Sequence, residues 1–277
     1  MRRLSGQRRL AVAAGVLGWV VVSGAPAAPA ALLEFFGEDL NGSSSVPLTV
    51  AKMVESMAAE AAFKSQLPGT VTETFQGIAT GTGPPLAIFS GTATLNGSGS
   101  VAYVEAGATN GAGRYSVPIP PGSTQYWDVG AGDTPTFTVD FSAPVAAFGF
   151  FGVDLGDGSG TLRLTFRNGG ETVLDREVPL LQGFEADGSV LFFGVIAPSA
   201  ADRFDQVQFN STAMPGQGVD YFGFDNLTIV PEPDAAWQAL VAVSALLVRR
   251  TRRQSLARSL DGSQTTWHSS TRLAAVR

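Results

Sequence analysis

The stretch FSAPVAAFGFFGVDLGDGSGTLRLTF, residues 141–166, holds two kinds of candidate strand and the turn between them. VAAFGFFGVD, 145–154, is apolar on both faces of an extended chain, as in the central strand of packed layers. TLRLTFRN, 161–168, alternates in polarity, so one face would be buried and the other wet. The intervening Asp154–Gly158 segment is rich in Asp and Gly, which favour turns. Outward from this unit the same texture recurs. Further candidate strands are TVTETFQG (70–77), LAIFSGTATL (86–95), SVAYVEA (100–106), TFTVDFS (136–142), TVLDREVPL (172–180), SVLFFGVIA (189–197), RFDQVQFN (203–210) and VDYFGFDNLTIV (219–230). Many short strands with turn residues between them predict a mainly β chain. The expected architecture over 70–230 is a jelly-roll-like, two-layer antiparallel β-sandwich. Gly149, Gly152, Gly194 and Gly223 fall inside strand runs. Either they make room for close packing, the stronger reading, or they form a flat shelf for a sugar.

Residues 31–69 have a different texture. Val50, Met53, Val54, Met57 and Ala61 recur at helical spacing and Thr49 can cap their start, which predicts one amphipathic helix at about 50–65. Its apolar stripe is expected to pack on a sheet.

Charge is segregated along the 277 residues. The whole chain carries −6, but residues 31–230 hold 21 acidic against 7 basic side chains, a balance of −14. Arg2, Arg3, Arg8 and Arg9 crowd the first nine residues, and seven arginines lie between Arg249 and Arg277. An acidic middle argues against a nucleic-acid partner, which needs a basic face. It suits a solvated domain outside the cytoplasm or one that collects cations. There is no cysteine, so disulfides, thiolate zinc sites and cysteine nucleophiles are excluded. The single histidine, His268, lies in the polar tail, leaving the main domain without one for a Ser-His-Asp triad or a histidine metal site.

The two ends read as addresses. MRRLSGQRRL is basic, AVAAGVLGWVVV is apolar and SGAPAAPA supplies small residues, the three-part layout of a secretory signal peptide over 1–30 with cleavage expected before Ala31. An uncleaved anchor helix is the other reading. At the far end, Pro231 and Pro233 terminate the last candidate strand because proline cannot donate to a ladder. Ala235–Val248 is an apolar run expected to form a C-terminal helix. Arg249, Arg250, Arg252 and Arg253 follow at once, and such a cluster favours the cytoplasmic side. About 14 residues at ~1.5 Å each span roughly 21 Å, less than a ~30 Å hydrocarbon core, so snorkelling arginines and an interfacial Trp237 would have to assist a crossing.

The order Pro231-Glu232-Pro233, apolar run, then Arg249 to Arg253 resembles the PEP-CTERM sorting signal of bacteria that make exopolysaccharide, here over residues 231–253. The resemblance implies an exosortase-type processing enzyme as partner, after export by the secretion machinery. It also implies an inner-membrane-anchored intermediate and delivery to the cell surface or extracellular matrix. Two features depart from the family's pattern: the apolar run lacks its usual glycines, and residues 254–277 continue past the arginines as a polar tail expected to be disordered. The body is also similar to an uncharacterised ectodomain common among such proteins. FFGEDLNGS (35–43), TETFQG (72–77), the opening stretch, GSVLFFGVI (188–196) and DYFGFDNLTI (220–229) carry that similarity. It implies a secreted β-sandwich with no assigned activity.

Several side chains are candidates for chemistry. Glu73 with Asp225 and nearby carbonyls, or Asp154 with Asp157, could supply the six to eight oxygens of a structural Ca²⁺. The alternatives are that Asp154–Gly158 is only a turn and that Asp225 ends a strand. Tyr126 and Trp127, in the Gly/Pro-rich stretch PPGSTQYWDVGAGDTP, could stack on a sugar ring or, the stronger reading, plug one end of the sandwich. Asn210 and Asn226 stand in Asn-x-Ser/Thr triplets. Three function classes follow. The first is a non-enzymatic exported protein of the surface or matrix. The second is a carbohydrate-binding module for exopolysaccharide, with Ca²⁺ as the candidate cofactor. The third and poorest is a carboxylate glycosidase, for which no motif is present.

Overall fold

In the computed structural model the structure describes residues 32–130, 136–158, 161–212 and 221–230. The signal-peptide stretch, the Pro-Glu-Pro triplet, the apolar run 235–248, the arginine cluster and the tail lie outside the described residues. So do the expectations that rest on them. Thirteen strands and one α-helix are present among the described residues. In chain order they are β1 (Leu33–Asp39), α1 (Val54–Ser65), β2 (Val71–Glu73), β3 (Leu86–Ile88), β4 (Ala93–Gly97), β5 (Ser100–Tyr103), β6 (Gln125–Gly130), β7 (Phe137–Val145), β8 (Ala147–Val153), β9 (Thr161–Asn168), β10 (Glu171–Glu177), β11 (Val190–Ile196), β12 (Phe204–Thr212) and β13 (Tyr221–Ile229). They form two antiparallel sheets. One has the order β1-β11-β8-β13-β6-β5, with β2 also paired to β13, and the other the order β10-β9-β12-β7-β4-β3.

The opening stretch supplies one strand to each sheet. β8 lies between β11 and β13 in the seven-stranded sheet, and β9 between β10 and β12 in the six-stranded one. Between the sheets Phe137, Phe150, Phe209 and Phe224 meet at centroid distances of 4.1–5.6 Å. β8 and β11 are buried along their whole length. The reason is a second apolar layer on the outer face, where α1 and the loop segments around Leu48 and Tyr115 cover Phe151 and Phe192.

The helix docks through a notch of glycines. Gly149 and Gly194 are cross-strand partners on β8 and β11. A Cβ on Gly194 would sit 2.8 Å from Phe63 Cδ2, and one on Gly149 3.2 Å from Phe63 Cε1. Gly37 of β1 brings its backbone so near the first turn of α1 that a Cβ would lie 2.2 Å from Glu55 O. Phe63 thus fills the space over Gly149 and Gly194, Leu155 and Leu191 that over Gly152, and Tyr126 that over Gly223, so the strand glycines offer no platform for a sugar. The helix begins at Val54, after a short 3₁₀ turn at Val50–Lys52, and Thr49 makes no side-chain cap. Asp39 at the end of β1 caps it instead, accepting from Glu55 N at 3.0 Å, Ser56 N at 2.9 Å and Ser56 Oγ at 2.6 Å. This cap and the Phe63 notch rotate the buried face. Met53, Ser56, Ala59, Glu60 and Phe63 point inward, whereas Val50, Val54 and Ala61 of the expected stripe are exposed.

Three further expectations change. β1 pairs with β11 over its full length, so the sandwich starts at Leu33 and not at residue 70. β6 runs through Tyr126 and Trp127, where sequence suggested a loop. The 86–95 run is two strands, broken at Phe89 and Ser90, which both have positive φ.

Register fixes a polarity. Leu33 faces Ile196, Ile196 faces Ala147, and Ile229 faces Phe148, so the chain enters β1 and leaves β13 at the same end of the sheet. Asp39, Val190, Val153 and Gly223 share the opposite end.

Candidate functional site

That opposite end carries the acidic groups. β8 runs out into Asp154, which takes a left-handed conformation (φ 64°) and turns the chain toward Asp157. Asp187 arrives from the loop before β11, on the far side of a short turn at Phe184–Ala186. One carboxylate oxygen from each of Asp154, Asp157 and Asp187 lies within 4.8 Å of the others.

The surrounding loops hold this trio by backbone contacts. Asp154 Oδ1 accepts from Gly188 N at 2.8 Å, and Asp157 Oδ1 from Gly158 N at 2.8 Å. Asp187 O accepts from Ser43 N at 3.0 Å, which ties the loop after β1 to the site. Gly113, at φ 84°, lies so close that a Cβ there would be 2.1 Å from Asp154 Oδ1. Tyr115 locks the arrangement from below, donating its hydroxyl to Gly188 O at 2.9 Å and accepting from Leu48 N at 3.0 Å.

Asp154 is only 2% exposed. Burial first, then the charges of Asp157 and Asp187, push its carboxyl up to about 8, against the pull of the Gly188 N–H and of Arg114. Burial also raises Asp157. Arg114 is the nearby cation, and it is engaged with Asp128 at 2.7 Å and stands 5.1 Å over the Tyr221 ring. A buried carboxyl with two like charges beside it holds its proton more tightly than a free one. Two oxygens each ~2.4 Å from one ion stand at most ~4.8 Å apart, so Asp154, Asp157 and Asp187 are the residues that could hold a Ca²⁺ here.

The Glu73–Asp225 pair is tied into the body by hydrogen bonds. Asp225 is fully buried on β13, and its oxygens accept from Ser116 Oγ (2.9 Å), Val117 N (2.9 Å) and Asn226 N (2.7 Å). Glu73, on β2 opposite Leu227, accepts from Phe75 N at 2.9 Å and Phe89 N at 3.2 Å. Burial pushes Asp225 well above the ordinary carboxylate range, its three hydrogen bonds pull it back, and the charge of Glu73 raises it further. Both side chains thus serve as internal latches. Asp225 and Asn226, whose Nδ2 donates to Ile119 O at 2.7 Å, clamp the 115–119 segment onto the sheet.

Tyr126 and Trp127 are 1% and 0% exposed. Trp127 points between the sheets, 6.0 Å from the Phe75 ring, and Tyr126 points into the outer layer. Neither presents a face to a sugar, because alternation along β6 sends one ring into each apolar layer. Exposed aromatic surface at the acidic end belongs instead to Phe184, 76% exposed beside Glu185 and Asp187, and to Tyr221. Asn226 of the second sequon is buried, so that triplet is closed to modification in the fold. Sequence reasoning missed Asp187 and Phe184, which lie about thirty residues beyond Asp154. A turn-rich LQGFEADGS bearing two acids was the available signal.

No family model matches the chain, and no curated protein does. Among solved structures it is similar to the K2 cleaved adhesin domain of Lys-gingipain, at 14% identity, 59% of this chain, 98% of that chain and a TM-score of 0.35. It is also similar to the Stig cyclase Fisc from Fischerella sp. TAU, at 15% identity, 60% of this chain, 87% of that chain and a TM-score of 0.28.

Proposed function

We propose that this chain is a non-enzymatic exported protein of the cell surface or extracellular matrix, sorted through residues 231–253. In this reading residues 1–30 direct secretion, Ala235–Val248 with Arg249–Arg253 holds an intermediate in the inner membrane, and an exosortase-type enzyme acts at Pro231-Glu232-Pro233. The observation that carries it is the order proline break, apolar run and arginine cluster immediately after β13, the last strand among the described residues. Two features support it. Among the described residues, the apolar cores lie between Leu32 and Val230, the span that the two terminal signals bracket. The body also enters β1 and leaves β13 at one end, as suits a domain displayed from a single point of attachment. We read the strand orders β6-β13-β8-β11 and β7-β12-β9-β10 as the double Greek key of a jelly roll. The test is intact mass of the protein recovered from fractionated producing cells. Loss of residues 1–30 and of the segment beyond Pro231, in an extracytoplasmic fraction, is expected. Full-length protein in the cytoplasm would refute the reading.

A second reading is a Ca²⁺-assisted carbohydrate-binding module for exopolysaccharide, and the Asp154–Asp157–Asp187 trio favours it. One oxygen from each of the three carboxylates lies within 4.8 Å of the others, close enough to share one cation. Melting in Ca²⁺ and in EDTA tests the metal. Retention on the producing cell's own polysaccharide, with and without Ca²⁺, tests the binding. No difference in melting and no retention would reject this reading.

A further inference from the structure

On the outer face of the seven-stranded sheet, residues 46–50 and parts of 106–123 line a half-open cavity of about 260 Å³. We propose that it is a binding site for a neutral, apolar small molecule of about ten heavy atoms. The inference is independent of the sorting signal and of any metal.

Three observations set the ligand's chemistry. First, none of the residues that line the cavity is charged, in a body with 21 acidic side chains. Pro47, Leu48 and Pro118 give it apolar walls. Second, its buried hydroxyls are already committed as donors. Tyr115 donates to Gly188 O, Ser116 Oγ to Asp225 Oδ2 at 2.9 Å, and Ser123 Oγ to Pro120 O at 2.8 Å. A polar ligand would lose its water and gain no buried hydroxyl donor in return. Third, the mouth is greasy: Val46 is 59% and Val50 41% exposed, a cost in water that an apolar occupant would relieve.

Size follows by scaling. An apolar cavity of ~150 Å³ accepts benzene, so about 260 Å³ accommodates roughly ten heavy atoms. The walls are set before the ligand arrives. Leu48 is tied to Tyr115 by its backbone N–H, and Asp225 and Asn226 anchor the 116–119 wall to β13. Little ordering is left for binding to impose, which favours affinity.

Naphthalene is a suitable probe and naphthalene-2-sulfonate its charged counterpart. Methyl NMR of the full-length protein should show saturable shifts confined to the lining methyls of Val46, Leu48, Thr49, Val50, Ala106 and Ala108, with half-saturation at about 0.1 mM. The sulfonate should bind at least tenfold more weakly, roughly the effect of desolvating a charge in a neutral cavity. Ala108→Phe, at a half-buried lining position, should abolish the naphthalene shifts while leaving the melting temperature unchanged. Ala106→Phe, at an exposed lining position, should do the same and serves if the first variant fails to fold. Absent shifts at saturating naphthalene, equal binding of the sulfonate, or undiminished binding by a folded filled variant would overturn the proposal.

Discussion

Replacing Asp154 by Asn tests the electrostatics of the acidic end most directly. In the unfolded chain this carboxyl titrates near 3.8, and in the folded protein burial and its two acidic neighbours raise it to about 8. The native state therefore holds the extra proton between these values, and stability falls as pH rises through that window. The contribution is fully present below about pH 4 and lost above about pH 8. Within the window one group changes stability by at most about 1.4 kcal/mol per pH unit. From about pH 6.0 to 7.5 Asp154 accounts for up to ~2 kcal/mol, or roughly 4–8 °C of melting temperature in a domain of this size. Asn keeps an oxygen for the Gly188 N–H and has no proton to lose. The assay is a calorimetric pH series in EDTA, repeated in Ca²⁺. The wild type should melt lower at pH 7.5 than at 6.0, and D154N should fall by several degrees less and be the more stable of the two at 7.5. Ca²⁺ at about a hundred times its Kd should restore ~2.7 kcal/mol to the wild type and much less to the variant. Equal slopes in the two proteins would refute the account of Asp154, and an equal Ca²⁺ increment would remove the trio as the cation's seat.

Phe63→Ala should cost about 3–5 kcal/mol by emptying the notch over Gly149 and Gly194, read by chemical denaturation. Gly194→Val should also destabilise, because a side chain there collides with the Phe63 ring, and the double variant with Phe63→Ala should recover part of the loss. Asp39→Ala should cost about 1–3 kcal/mol and speed amide exchange in the first turn of α1, since the buried Ser56 N–H loses its acceptor. Asp225→Ala should release the 115–119 segment, seen as faster exchange at Val117, while Arg163→Ala, which breaks the exposed pair with Asp175, should change stability by less than about 1 kcal/mol.

The β architecture was legible because its strongest signals were chemical. AAFGFF and VLFFGV are apolar on both faces, and they became β8 and β11, covered on each side. β1 was harder to read, because LEFFGED mixes charge with aromatics. Its acids have tertiary work, Glu34 pairing with Arg176 at 2.8 Å and Asp39 capping α1. The helix was legible, but only Met53 and Met57 of its expected stripe face the core. A period of 3.6 gives a stripe, whereas the partner surface decides which stripe is used, and here a glycine notch selected Phe63. The same limit hid the third carboxylate. Asp154 and Asp157 are three residues apart, but Asp187 reaches them only through the pairing of β8 with β11. Tyr126 and Trp127 show the reverse error, since a short run between glycines looks like a loop until its neighbours supply ladders on both sides.

The shared exit of β1 and β13 has a mechanical consequence. A domain held at Val230 and gripped at its acidic tip would feel force along the axes of its strands. Ladder bonds run across that direction, so the bonds joining β13 to β8 and β6 would be sheared together and not peeled one after another. Such a module resists drag well when pulled lengthwise, and yields far sooner if the load comes from the side.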